Sequence, residues 1–155
     1  MIHPELSSPA LRIRVGGVYV RDSKILLVRH HKGGRRYWLL PGGGLEFGET
    51  VAQALERELV EECGVKTRSG RLLFINESIP PQKTRHVLNL TFLGTLLEGE
   101  PRQSEDDGVL DGVAWVDKAD LPGLPFFPNF KAQLLKHWDS GFTLPAESLG
   151  NLWED

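Results

Sequence analysis

This sequence of 155 residues has one cysteine, no long apolar run and no large excess of charge of either sign. The one cysteine, Cys63, excludes an internal disulfide framework and a zinc site built from several thiolates, and it is typical of a reducing compartment. No apolar run approaches membrane-spanning length, and residues 1–10 lack the apolar core of a signal peptide. The formal net charge of −3 disfavours stable binding to nucleic acid. We therefore expect a cytoplasmic protein without membrane association.

The length of the chain fits one domain, and its 40% hydrophobic content can form a core without disulfides or structural zinc. Residues 1–10 contain two prolines and two serines, which predict an irregular lead-in. Residues 11–155 are expected to form a single domain.

Apolar runs and alternation predict strands separated by two helical segments. The predicted strands cover residues 11–20, 24–29, 37–40, 65–76 (with a break at Ser69-Gly70), 85–97 and 113–116, and the predicted helices cover 51–63 and 130–138. A basic segment at 30–36 and an acidic one at 98–108 are expected to be loops. The irregular order of strands and helices predicts an α/β or α+β sandwich with a mixed sheet.

The segment 51–63 has the strongest helical pattern in the chain. Val51, Leu55 and Leu59 fall on one face at helical spacing. Thr50 is a suitable N-cap residue, and Gly64 is a suitable C-terminal stop. We therefore expect an amphipathic helix with one face in the core.

Three glutamates, Glu58, Glu61 and Glu62, lie on one side of this helix because they are three and four residues apart. Like charges four residues apart oppose each other, and the helix dipole disfavours acids near the C-terminus. A divalent cation such as Mg²⁺ or Mn²⁺ would compensate, since hard cations prefer oxygen ligands. A solvated acidic face is the alternative. The glycines after Pro41 favour a ligand site, because such loops bring the backbone close to a ligand.

Residues 43–65 resemble the complete Nudix box, the signature of the Nudix (MutT-like) hydrolases. The matching positions, with their spacing, are Gly43, five residues, Glu49, seven residues, Arg57-Glu58-Leu59, one residue, Glu61-Glu62, one residue, and Gly64-Val65. Weaker resemblance extends to residues 25–29, 38–43 and 115–116.

The resemblance implies an α/β/α sandwich built on a mixed sheet, with the box forming a loop, a helix and a second loop. Members of the family hydrolyse a nucleoside diphosphate linked to a group X, and they need Mg²⁺ or Mn²⁺. By motif position the metal ligands are Glu58, Glu61 and Glu62, with support from Glu49 and the backbone of Gly43. Arg57 orients the acids and belongs with Glu61 and Glu62 in the catalytic set, and Gly43 and Gly44 shape the turn at the substrate.

The resemblance leaves the general base open between a glutamate of the box and an acid in a distal loop. The distal candidates are Glu105, Asp106, Asp107 and Asp111, and we select Asp107. A solvated acidic loop is the alternative for each of them.

Several residues outside the box are candidates for substrate binding. Arg29, Arg85 and also Arg14 could clamp phosphates, and Trp38 or Tyr37 could stack on a base or ribose. Asn129 follows a Phe-Pro stretch that is similar to a base-reading site in the branch that removes oxidised guanine nucleotides. The alternatives are a solvated turn for Arg29, a core position for the aromatic residues and an N-cap role for Asn129.

The box does not identify X. Residues 38–44 and 86–92 resemble the branches that act on ADP-ribose or a nucleotide sugar, although the chain lacks the long N-terminal extension of many ADP-ribose hydrolases. Short length and Asn129 favour a nucleoside triphosphate pyrophosphatase instead. A non-catalytic nucleotide sensor is disfavoured by the intact box, and mRNA decapping by the net charge. The expected partner is a nucleotide-type small molecule, and family analogy allows a homodimer.

Overall fold

The computed structural model describes residues 10–104 and 108–154. Their elements are, in chain order, β1 (Leu11–Val18), β2 (Val20–Arg21), β3 (Lys24–Lys32), β4 (Arg35–Leu39), β5 (Gly42–Gly44), α1 (Val51–Cys63), β6 (Lys66–Ser78), β7 (His86–Glu98), β8 (Leu110–Asp117), a 3-10 helix (Lys118–Gly123), α2 (Lys131–Asp139) and β9 (Glu147–Asn151). Within these ranges, no helix is long and apolar enough to cross a membrane.

The strands form two sheets. The larger has the order β5-β1-β7-β6-β9, and it is mixed, because β1 runs parallel to β7 and β6 parallel to β9 while the other pairs are antiparallel. In the smaller sheet, β3 pairs antiparallel with β2, β4 and β8. The predicted sandwich with a mixed sheet is confirmed.

Strand β3 lies between two apolar clusters, which is why its sequence is a continuous apolar run. Leu26 and Val28 pack with the buried side of α1, and the alternate residues Ile25 and Leu27 pack in the cluster that contains Leu134 of α2. These four side chains of β3 are fully buried. The smaller sheet thus connects the two halves of the core, and α1 is fixed against one of them.

Both predicted ends of α1 are confirmed. The Thr50 hydroxyl accepts a hydrogen bond from the backbone N–H of Gln53 (3.1 Å), and the Gln53 side chain accepts one from the Thr50 N–H (2.9 Å), which together form a capping box. Gly64 ends the helix in the left-handed conformation, at φ 69°.

The prediction of a loop over 30–36 is wrong, because β3 continues to Lys32 and β4 begins at Arg35. Gly33 and Gly34 form the turn with φ values of 59° and 75°. Two successive positive φ values match the twist of the flanking strands and allow a two-residue hairpin. The break predicted at Ser69-Gly70 is also wrong, since β6 passes through it with a shift of register.

Strands β5 and β9 were not predicted, because neither has an alternating apolar pattern. The second helix begins one residue later than predicted, and its N-cap is Phe130, without a side-chain cap. The N-cap role considered for Asn129 is therefore wrong. Its side-chain amide instead donates a hydrogen bond to Glu154 Oε1 (3.3 Å).

Candidate active site

Strand β5 places its backbone directly against the C-terminal half of α1. The backbone N–H of Gly42 donates a hydrogen bond to Glu62 Oε1 (3.0 Å), and Glu62 is buried with 6% of its surface exposed. Gly42 has a φ of 154°, and a Cβ there would collide with the carbonyl oxygen of Val15. Only glycine permits this approach, which fixes one acid of the helix at the edge of the sheet.

The next residue, Gly43, leaves room for Glu58. A Cβ on Gly43 would lie closer to all three carboxyl atoms of Glu58 than van der Waals contact allows. The carboxylate therefore occupies the space that a side chain at position 43 would fill, and β5 and α1 share one site.

Arg57 is the cation that holds these acids in place. Its guanidinium donates to both oxygens of Glu49 (2.6 and 3.1 Å), to Glu58 Oε1 (3.0 Å), to Glu61 Oε2 (3.2 Å) and to the carbonyl oxygen of Gly44 (3.0 Å). Charge-assisted hydrogen bonds of this kind also fix geometry. The orienting role that the resemblance implied for Arg57 agrees with these contacts.

The charges of this cluster affect each other. Hydrogen bonds to Glu49 raise the pKa of Arg57, and the same pair lowers the pKa of Glu49. Burial raises the pKa of Glu58 above its ordinary value, against the opposing effect of Arg57. At Glu58 the effect of burial therefore outweighs the hydrogen bond from Arg57.

The three glutamates of the helix are placed differently from one another. Glu62 is buried, the Glu58 side chain is 18% exposed and the Glu61 side chain is 59% exposed. Among the residues that the structure describes, no three acids, histidines or cysteines are already arranged around one point. The donors present are carboxylate and carbonyl oxygens, which is the set that Mg²⁺ or Mn²⁺ prefers, so the residues fit such an ion.

A cleft of about 640 Å³ opens between the two sheets beside these acids. That volume is typical of a small-ligand site. Two acids and two glycines of the box lie in it with the preceding Gly42, five cationic side chains and one histidine: Glu58, Glu62, Gly43 and Gly44, then Arg12, Arg14, Lys32, Arg35 and Arg85, and His30. Other lining residues are neutral: Ile13, Tyr37, Leu39, Ser78, Val87, Asn89, Phe127, Pro128, Leu152 and Trp153, with Glu154 at the rim.

Arg14 is the most deeply placed cation of the cleft. Its guanidinium donates to the carbonyl oxygen of Leu40 (2.9 Å). Burial lowers its pKa, and the nearby carboxylates of Glu62 and Glu58 oppose that effect. A half-buried arginine beside Glu58 and Glu62 extends the Arg57 cluster from the helix to β1.

The structure places some of the predicted substrate-binding residues in the cleft and others outside it. Arg85 lines the cleft, as do Gly43, Gly44 and Tyr37. Arg29 instead donates to Asp111 Oδ1 (2.8 Å), and its guanidinium lies 5.4 Å from the ring of Trp38, which packs against the core. Neither Arg29 nor Trp38 lines the cleft, so their predicted role gains no support from position and stays a prediction, as does that of Asn129.

Of the candidate general bases, Asp107, Glu105 and Asp106 lie outside the described residues, so the selection of Asp107 stays a prediction. Asp111 lies at the start of β8 and forms ion pairs with Arg29 (2.8 Å) and Arg36 (2.7 Å). These two cations lower the pKa of Asp111.

Sequence reasoning missed Arg12, Asn89 and Trp153 as lining residues. Arg12 and Asn89 had a usable signal, because polar residues that share a face of a strand with Arg14 or Val87 belong to the same surface. Trp153 had none, because its position depends on the unpredicted strand β9.

The protein is a sandwich of two sheets. A glycine strand and an acidic helix lie at one end of a basic cleft, and this site indicates the class of protein. A model of the NUDIX domain matches residues 10–138. An ADP-ribose pyrophosphatase from Methanocaldococcus jannaschii is 32% identical over 130 residues, which are 83% of this chain and 75% of that protein. The phosphatase NudJ of Escherichia coli (strain K12) is 29% identical over 140 residues, 90% of each chain.

A solved structure of a NUDIX hydrolase from Nitrosomonas europaea superimposes with a TM-score of 0.73 at 25% identity, covering 89% of this chain and 93% of that one. The chain belongs to the Nudix family. It is an enzyme, a Nudix hydrolase.

Proposed function

We propose that this protein hydrolyses the pyrophosphate bond of a nucleoside diphosphate linked to a group X, with ADP-ribose or a nucleotide sugar as substrate and Mg²⁺ or Mn²⁺ as cofactor. The products are a nucleoside monophosphate and phosphorylated X. The observation that carries the proposal is the division of the cleft into an acidic end at β5 and α1 and a basic lining from β1, β3, β4 and the residue before β7.

Charge explains why both ends are needed. A pyrophosphate is a dense anion, which the arginines and lysine of the cleft attract. The carboxylates alone would repel it. A bound divalent cation removes this conflict, since it neutralises phosphate charge and makes a water molecule a stronger acid.

The residues of the box then have separate tasks. Glu58, Glu61 and Glu62 would hold the cation, with Glu49 and the backbone of Gly43 in support. Arg57 keeps Glu49, Glu58 and Glu61 in position through the hydrogen bonds described above. Burial of Glu62 against Gly42 limits its motion, which favours a fixed site over one assembled anew at each turnover.

The named activity of the archaeal relative, an ADP-ribose pyrophosphatase, supports ADP-ribose as the first substrate to test. The test incubates the protein and Mg²⁺ with ADP-ribose, nucleotide sugars, dinucleoside polyphosphates and nucleoside triphosphates, and identifies the products. We expect a nucleoside monophosphate and a sugar phosphate. Release of pyrophosphate from a triphosphate would support the alternative, a triphosphate pyrophosphatase, and tight binding without turnover would support a sensor.

The variant Glu62→Gln tests the acidic end. The amide can still accept the hydrogen bond from Gly42, but it lacks the charge, so we expect turnover to fall roughly 100-fold or more while the unfolding temperature changes little. Glu56→Gln is the matched control, because Glu56 is on the same helix and its carboxylate accepts from the Ser69 N–H (3.2 Å) outside the cleft. Equal activity of Glu62→Gln and the wild type would contradict the proposal.

A further inference from the structure

The order of strands in the mixed sheet places side chains of different chemical character side by side along the cleft. Gly44 of β5 pairs with Arg14 of β1, Arg14 with Asn89 of β7, and Asn89 with Asn76 of β6. Residues paired in this way have their side chains on the same face of a sheet. One row across four strands therefore passes from the acidic site to a cation and then to two neutral amides.

Strand spacing converts this row into distances. Neighbouring strands lie about 4.8 Å apart, so Asn89 is on the order of 10 Å and Asn76 on the order of 14 Å from the Gly44 strand. An extended nucleotide covers a similar distance from its phosphates to its base. The amides thus lie where a base would be if the phosphates bind at Arg14 and the box.

The two amides are unusual for buried side chains. Asn76 is 1% exposed, and among the described residues neither the nitrogen nor the oxygen of its amide has a hydrogen-bond partner. Asn89 is 7% exposed and lines the cleft. Buried polar groups are normally paired, so an unpaired amide beside a cleft indicates a group that a ligand or an ordered water completes.

An aromatic ring closes the same end of the cleft. Trp153 lines the cleft, and the guanidinium of Arg85 lies 5.7 Å from its ring centroid. Asn151 fixes this segment to Ile79, the residue after β6: its side chain accepts from the Ile79 N–H (3.0 Å) and the Trp153 N–H (3.2 Å), and it donates to the Ile79 carbonyl oxygen (3.0 Å). The segment follows the residues 10–138 that match the family model.

We propose that the β7–β6 end of the cleft binds the nucleobase of the substrate, with Trp153 stacking on the base and Asn89 hydrogen bonding to its edge. Asn76 is a positioning residue: it pairs with Asn89 in the sheet, and its unpaired amide would hydrogen bond to the Asn89 amide when the base is bound. An amide presents one donor and one acceptor side by side, which complements the N6 amino group and N7 of adenine. We assign adenine to this subsite, and the comparison of AMP with UMP binding tests that assignment. This inference rests on the proposed function only for the placement of the phosphates at the other end.

Stacking is tested by calorimetry of the whole metal-free protein with AMP, UMP and ribose 5-phosphate. We expect Trp153→Leu to weaken AMP binding on the order of tenfold and to leave ribose 5-phosphate binding unchanged, because only the base contacts the ring. Leu97→Ala, at the other end of β7 and outside the cleft, is the control. Equal affinity of Trp153→Leu and the wild type for AMP would overturn the stacking role.

Hydrogen bonding is tested by the ratio of AMP to UMP affinity in Asn89→Leu, Asn89→Ser and Asn76→Leu. We expect this ratio to fall on the order of tenfold in each variant. For Asn76→Leu we also expect a higher unfolding temperature, since the variant removes an unpaired buried amide. A structural role alone would change the unfolding temperature and leave the ratio as in the wild type, and that result overturns the proposal.

The ratio of AMP to UMP affinity is also measured for Asn129→Leu, because Asn129 is the base-reading candidate from the sequence. A loss of selectivity in Asn129→Leu but not in Asn89→Leu would overturn the inference. None of these measurements requires turnover. Selective AMP binding without hydrolysis of any diphosphate substrate would contradict the proposed function and support the subsite, and hydrolysis without base selectivity would do the reverse.

Discussion

Single residues in the glycine strand β5 decide how close the acids come to the sheet. Gly42 is required by its backbone conformation and by the carbonyl of Val15, whereas Gly43 is required only by the carboxylate of Glu58. The two glycines therefore differ in what a substitution would disturb. At position 42 the backbone itself would have to move, and at position 43 only the end of a flexible side chain.

We predict that Gly43→Ala folds with nearly normal stability but loses roughly 10- to 100-fold in turnover, because the new methyl group displaces the Glu58 carboxylate and small displacements of catalytic groups are costly. Steady-state kinetics and thermal unfolding measure the two effects. Gly123→Ala, in the 3-10 helix with open space around it, should change neither. Normal turnover of Gly43→Ala would show that the position of Glu58 is unimportant.

Asp111 gives a residue-scale prediction about pH. Arg29 and Arg36 hold its pKa below the ordinary value of 3.8, so its contribution to stability is present above that value and is lost as the pH falls through the lower pKa of the folded state. Asp111→Asn should therefore be less stable than the wild type at pH 7. The difference should shrink below pH 3.8, where the wild-type carboxyl also becomes protonated.

Urea unfolding of both proteins from neutral to acid pH measures this difference, and equal stability at pH 7 would contradict the prediction. A kinetic assay of the same variant separates a structural aspartate from a general base. Near-normal turnover with lowered stability is expected, since the ion pairs with Arg29 and Arg36 already engage both carboxyl oxygens.

At the scale of elements, the helix α1 was predictable because its information is local. Its apolar face, its N-cap and its terminal glycine lie within a few residues of one another, and the structure confirms each of them. Strands β5 and β9 were not predictable, because their pairing depends on main-chain hydrogen bonds with distant strands. The hairpin of β3 and β4 was not predictable for a different reason: a glycine pair in a basic segment is typical of a loop, and here it forms a two-residue turn.

The capping box of α1 supports a helix whose other end carries repelling acids. We predict that Thr50→Ala lowers the free energy of unfolding by about 1 kcal/mol, because the backbone N–H of Gln53 loses its acceptor. Urea unfolding of the metal-free protein measures the change. Thr50→Ser keeps the hydroxyl and should behave like the wild type, and a loss in both variants would indicate a role of the threonine methyl group instead.

At the scale of the whole molecule, the site is shared by parts of the chain that are far apart in sequence. The box supplies the acids over residues 43–65, and its spacing alone located Glu58, Glu61 and Glu62 on α1. The cations of the cleft come from β1, β3, β4 and Arg85, and the wall at Trp153 from the segment after β9. Such a surface depends on strand order, which is why the sequence located its acidic end and only part of the rest.

The acidic end of the cleft also predicts how the stability of the whole protein responds to metal. Without a cation, the buried Glu62 and the half-buried Glu58 are like-charged neighbours on one helix face, so binding of Mg²⁺ should stabilise the folded state. An ion at about ten times its dissociation constant adds about 1.4 kcal/mol. We therefore expect the unfolding temperature of the metal-free protein to rise by a few degrees when Mg²⁺ is added.

Differential scanning calorimetry of the wild type and of the double variant Glu58→Gln/Glu62→Gln makes this prediction specific. The variant should be at least as stable as the wild type without metal, because one source of repulsion is gone, and it should gain little from Mg²⁺. Potassium chloride at matched ionic strength controls for screening of surface charges. An equal gain in both proteins would place the ion elsewhere on the molecule, and the role assigned to the acids of α1 would then be wrong.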